Sequence, residues 1–136
     1  MSTEAKTSIP QIGQQWPEQG GIYIGSRLID GLAHHIVIPG GIEHDVKAIK
    51  FDDVAGCIPA EINGYTDWRA PDQEELMLAW IHTREHFVQK GSDSIYWTRT
   101  DRDKHFAWAV YFASGFTVYY TRNRAFRVRP FRSFIS

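Results

Sequence analysis

Apolar positions recur in this chain with two different periods, which divide it into a β-rich beginning, one helix and a β-rich end. Met1 to Gln15 is polar and aperiodic, and reads as a flexible arm ahead of a single domain over 16–136. Gly20-Gly21 opens a strand at Ile22-Tyr23-Ile24. Asp30-Gly31 is a hairpin turn signal, and Leu32 to Ile38 returns the chain until Pro39-Gly40-Gly41 stops it. Val46 to Phe51 is β-prone, and Gly56 to Tyr65 reads as loop. The period then changes. Asp72 is set to cap a helix and Glu75 to close a capping box, while Pro71 blocks an earlier start. Leu76, Trp80 and Phe87, with Met77 and Ile81 beside them, form an apolar stripe that predicts a helix over about 72–89, ended by Gly91.

Beyond the helix the period is two. Ile95-Tyr96-Trp97-Thr98 reads as a strand. Phe106, Trp108, Val110 and Phe112 then alternate with Ala107, Ala109, Tyr111 and Ala113, so one face carries the large side chains. Turns at Ser114-Gly115 and Arg122-Asn123 separate this strand from Phe116 to Thr121 and from Phe126 to Arg132, giving an antiparallel meander. One amphipathic helix needs a sheet to cover its stripe, so the expected class is α+β. No internal repeat interrupts the pattern.

Composition narrows this picture. The 136 residues suit one domain, and 43% hydrophobic with 23% charged residues is a globular balance. No apolar run approaches the ~20 residues that span a bilayer, and no signal-peptide core follows Met1. The expectation is a cytoplasmic or virion-associated product with no membrane partner. A single Cys57 excludes an internal disulfide and a thiolate metal cage. Aromatic residues reach 14%, enough to fill a small core with few aliphatic side chains. Charge is uneven: residues 1–98 hold 7 Lys and Arg against 14 Asp and Glu, whereas 99–136 hold 8 against 2. The favoured reading folds the basic end back onto the acidic body; the other makes it a contact surface for an anionic partner.

Two stretches carry more than a pattern. Gly64-Tyr65-Thr66-Asp67-Trp68-Arg69-Ala70-Pro71, running into Glu74-Glu75-Leu76, resembles the GxxDWRLPTxxEL signature of a bacterial and phage family. Tyr96-Trp97-Thr98, Ala107-Trp108, Phe112 with Gly115, and Arg127-Val128-Arg129-Pro130-Phe131-Arg132 resemble its later motifs. The family is named for the C-terminal domain of a Legionella collagen-like adhesin, and this chain is similar to its phage or prophage stand-alone type. The resemblance implies a C-type-lectin-like fold: a helix on small antiparallel sheets with long loops. It also implies that Asp67, Trp68, Arg69, Trp97, Trp108, Arg127 and Arg129 are scaffold, with the tryptophans in the core. Physical reading agrees for most of these. Trp68 offers an apolar plate, Asp67 a turn bond, Arg69 an ion pair, and Arg127 and Arg129 anchors for the last strand.

Candidate chemistry is sparse. His82-Thr83-Arg84-Glu85-His86 has the spacing of an inverted zinc-protease motif, with His82 and His86 on one helix face, but no third ligand is evident. A metal-dependent hydrolase is therefore the unfavoured alternative. Asp52-Asp53 and Glu43-His44-Asp45 could offer oxygens to Ca²⁺, yet the sugar-binding lectin tripeptides are absent. His34-His35 in a strand would point one ring inward and one outward. Cys57 has no local base, and reads as an inert thiol. No cofactor is expected. The remaining lead is the basic, aromatic end, with Arg99, Arg102, Lys104, Tyr119, Arg122 and Arg124 as contact residues, and Tyr111 and Tyr120 nearby. Such a surface suits an anionic glycan or a host protein, and nucleic acid less well. The expected function is non-enzymatic recognition of a host surface glycan or protein. The alternative is an intracellular phage protein that blocks a host defence complex.

Overall fold

The computed structural model describes residues 8–135, so Met1 to Thr7 of the expected arm lie outside the described residues. The described part holds nine strands and one α-helix: β1 (Gln15–Trp16), β2 (Gly21–Ile29), β3 (Leu32–Ile38), β4 (Val46–Ile49), α1 (Gln73–Thr83), β5 (Ile95–Asp101), β6 (Phe106–Tyr111), β7 (Phe116–Thr121), β8 (Phe126–Val128) and β9 (Arg132–Ile135). They form two sheets, ordered β1-β2-β3-β9 and β4-β8-β5-β6-β7. The first is antiparallel. The second is antiparallel except where β5 runs parallel to β8. The class is α+β.

Local sequence explains the first hairpin. Asp30 and Gly31 both have positive φ, 53° and 80°, as a two-residue turn matching strand twist requires. Part of the expected arm joins this sheet: the Gly13 N–H donates to Tyr23 O at 2.7 Å, and Gln15 pairs with Ile22. The strand expected over Val46 to Phe51 ends at Ile49. Ala48 takes φ 57°, which shifts the register against β8, and Phe51 enters a 3₁₀ turn that buries its ring against Trp97.

The helix begins as its cap predicts and stops early. The Glu75 N–H donates to Asp72 Oδ1 at 2.8 Å, and the Asp72 N–H to Glu75 Oε1 at 2.9 Å. The expected extent to residue 89 is corrected: α1 ends at Thr83, followed by a 3₁₀ turn at Arg84–His86. Tertiary contacts outweigh helix propensity here. Phe87 is extended and stacks on Phe112 at 4.4 Å, the His86 carbonyl accepts from Arg129, and the Val88 N–H donates to the Tyr96 hydroxyl. A helix through Val88 would surrender all three. The buried face of α1 is consequently Glu75, Leu76, Ala79 and Thr83, while Ile81 is exposed.

Three apolar clusters build the core. The largest sets Leu76 and Ala79 of α1 against Ile24 and Ile36 of the first sheet and Tyr96, Val110 and Phe112 of the second. A second lies on the opposite face of the second sheet, where Trp97, Ala107, Ala109 and Phe126 meet Phe51 and Val54. A third joins Trp16, Tyr23, Val37 and Trp68. No helix among the described residues is long and apolar enough to cross a membrane.

Candidate functional site

Arginine geometry separates scaffold from surface. Three arginines, from β2, β5 and the loop before α1, converge on the α1 cap. Arg69 chelates Glu75 at 2.6 and 2.9 Å, Arg27 of β2 reaches Asp72 at 2.6 Å, and Arg99 of β5 bonds the Ala70 carbonyl at 2.7 Å and lies 3.3 Å from Glu75. Burial alone would push the Asp72 carboxyl up. The Arg27 bond, the Glu75 N–H and the charges of Arg27 and Arg99 hold it below the usual carboxylate range instead.

A second clasp closes on Asp45, whose side chain is wholly buried. Arg129, also wholly buried, gives its Nε to Asp45 at 2.6 Å and its two terminal nitrogens to the carbonyls of Gly40 and His86. Arg127 reaches Asp45 at 3.2 Å, and the Tyr96 hydroxyl donates to it at 2.6 Å. Burial and the Asp45 charge push the Tyr96 phenol up. The anchoring expected of Arg127 and Arg129 is thus explained, and Asp45 is corrected from calcium candidate to their counter-ion. Asp67 likewise bonds Arg132, at 2.8 Å, rather than local backbone. Trp68 and Trp97 are buried, with ring N–H groups on the carbonyls of Ile62 and Ile49.

The six expected contact residues divide. Arg99 is drawn into the cap cluster. Arg122 is held by Asp52 at 2.9 Å, by the Asp103 carbonyl and by the Phe51 ring, so both have acidic partners within the chain, as the fold-back reading expects. Arg102 lies over the Tyr119 ring at 4.2 Å, and Arg124 over Tyr120 at 4.9 Å. Tyr119 is 46% exposed. Lys104 and Arg122 line a cleft of about 640 Å³ with Lys50, His105, Asn123 and Thr121, and Asp52 and Asp53 lie on its wall. Asp103 orders the adjoining turn by accepting the N–H groups of His105 and Phe106, which keep its carboxyl below the usual range.

Trp108 is the principal correction. The alternation along β6 is real, but Ala107 and Ala109 face a fully packed cluster, where Ala109 sits opposite Trp97 and leaves room for its indole. Phe106, Trp108 and Val110 share the other face. Helix α1 covers Val110 and stops short of the other two, which stay half-buried. Trp108 sits directly opposite Tyr119, and Tyr119 meets both Trp108 and Phe106 edge-on at 5.5 Å. Thr121, opposite Phe106, belongs to this face and also lines the cleft, so the aromatic row and the cleft adjoin at Thr121. Sequence reasoning missed Phe106, Lys50 and His105. The available signal was the small face of β6, since alanines opposite a tryptophan mark the packed side.

The remaining candidates do not assemble. His82 is on α1 and exposed, whereas His86 is in the 3₁₀ turn, so the shared helix face that zinc binding needs is not formed. Among the described residues no group of three or more His, Cys, Asp or Glu could hold a metal ion. His35 is buried 3.0 Å from the Tyr23 hydroxyl, and burial lowers its pKa. Cys57 donates to the Val54 carbonyl, and burial pushes its thiol up.

A family model described as the Lcl C-terminal domain matches residues 45–132, well over half of the chain. The match spans α1, the second sheet, both clasps' acidic centres and the open aromatic row. No curated protein matches the chain.

Proposed function

The chain belongs to the Lcl C-terminal domain family, an adhesin-like binding family, and from that premise we propose that it is a non-enzymatic recognition domain for an anionic glycan on a host surface. The contact surface is the Phe106–Trp108–Tyr119 row with the adjoining cleft. One observation carries the reading: the aromatic row left open beside α1 ends at the Phe106–Thr121 pair, and Thr121 also lines a cleft with Lys50, Lys104, His105 and Asn123. Aromatic plates stack on the apolar faces of sugar rings, while cations and amides suit carboxylate or sulfate substituents and hydroxyl groups. Arg102, already seated on Tyr119, adds charge at the edge of the plate. The two cleft aspartates fit a hydroxyl-rich ligand better than the dense phosphates of nucleic acid. The C-type-lectin-like reading of the fold rests on the family resemblance and is compatible with one helix on two small sheets.

Retention on immobilised heparin, compared with a neutral polysaccharide matrix, tests this reading. Retention on heparin alone is expected, weakening as salt rises and falling for Trp108→Ala and Lys104→Ala. Equal retention of both variants and the parent would overturn it. Binding to a host protein in place of either matrix would move the same surface to the protein-recognition reading, to which half-buried Trp108 with exposed Tyr119 and Arg102 is also suited.

A further inference from the structure

Among the described residues the sheet edges are blunted, with one exception. Strand β1 has two residues, β4 is broken at Ala48, contains Lys47 and is followed by Lys50, and β9 has four residues beginning with Arg132. Past β1, strand β2 is bulged against β3 between Tyr23 and Gly25 and carries the charge of Arg27. Strand β7 closes the second sheet with six consecutive residues, Phe-Thr-Val-Tyr-Tyr-Thr, in unbroken register with β6. It contains no charge, proline, glycine or bulge, the devices that keep edges from pairing.

Hydrogen-bond alternation fixes what this edge offers. The Arg122 N–H donates to His105 O across the continued β6–β7 register, so that pair is of the hydrogen-bonded class, and every second pair from it to Tyr111–Phe116 shares that class. Counting inward, Phe116, Val118 and Tyr120 direct their backbone groups to β6. Thr117, Tyr119 and Thr121 direct theirs away from it. These three read Thr-x-Tyr-x-Thr, symmetric about Tyr119.

We propose that β7 pairs with β7 of a second copy of this chain, antiparallel about a two-fold axis at Tyr119, joining the two second sheets into one. Symmetry places Tyr119 opposite its own copy and Thr117 opposite Thr121, a cross-strand pairing that β-sheets favour. On the other face Val118 meets Tyr120, small against large. The exposed Phe116 meets Arg122 or its neighbours, with no like charges opposed. Other peptides could pair with a bare edge, but this palindromic order of side chains singles out the chain itself. One six-residue pairing buries less than the roughly 1,200 Å² of a standard stable interface, so the dimer is concentration-dependent. It sets the two Trp108–Tyr119 rows side by side on one face, and its formation does not depend on the glycan reading.

Sedimentation equilibrium without ligand, from about 10 μM to about 1 mM, is the test. A monomer–dimer equilibrium is expected. Thr117→Pro removes an outward N–H and no bond to β6, so it should weaken dimerisation about tenfold or more with unchanged circular dichroism. The double variant T117E/T121E sets like charges opposite each other and should give monomer, whereas T117K/T121E sets opposite charges against each other in the Tyr119-centred register, and like charges in registers centred on 117 or 121, and should dimerise. Monomer at every concentration, or a dimer indifferent to Thr117→Pro and T117E/T121E, overturns the proposal.

Discussion

Arginine beside aromatic rings occurs in two places here with opposite consequences. Arg129 lies 4.2 Å from the Phe87 ring and Arg102 lies 4.2 Å from the Tyr119 ring, nearly the same local pair. What differs is the counter-ion. Arg129 is wholly buried against an equally buried Asp45, while the acidic partner of Arg102 among the described residues is its exposed neighbour Asp103 at 3.3 Å. A guanidinium on a ring is therefore a scaffold element where a buried carboxylate and carbonyls saturate its donors, and a surface element where they do not. Ring stacking alone cannot tell the two apart.

Breaking the buried member should cost most. Arg129→Ala removes the buried counter-ion of the buried Asp45, and thermal denaturation should show a loss of about 3–5 kcal/mol. Asp72→Ala comes next, removing the cap and the ligand of Arg27, for about 1–2 kcal/mol. That contribution has a pH signature. Because the folded Asp72 carboxyl lies below its unfolded value, its stabilisation is complete above the unfolded pKa of about 3.9 and disappears as pH falls through the lower folded value. Acid titration of stability should be shallower in Asp72→Asn than in the parent. His35 acts in the same direction: its folded pKa is lowered, so stability falls as pH drops below about 6.5, and His35→Gln should flatten that part of the curve. Smallest of all, Arg102→Ala should change stability by less than about 0.5 kcal/mol. A large loss there would erase the distinction between the two arginine environments.

Legibility in the sequence followed the range of the interactions. The Asp30-Gly31 turn and the Asp72–Glu75 capping box are set by residues within four positions of each other, and both form as read. Trp68, Trp97, Arg127 and Arg129 were legible through family motifs, and their geometry agrees with the scaffold role. Phe87 was misplaced because its neighbours, Phe112 and Arg129, are remote in sequence and outbid helix propensity. Trp108 was misassigned for a related reason. Period two gives the two faces of a strand, but the length of α1 decides how much of one face is covered. The division of Arg99 and Arg122 from Arg102 and Lys104 was illegible, since it depends on which acidic side chain lies opposite after folding.

The first sheet also bears on the order of synthesis. Arg132 grips the Gln19 carbonyl 113 residues upstream, and β9 completes the sheet that β2 and β3 begin. A ribosome therefore releases the opening hairpin well before the strand that covers it, with Ile36 and Val37 waiting exposed in the interval. At about 5–20 residues per second the wait is several seconds, long enough for a chaperone to bind the nascent hairpin before the chain can close.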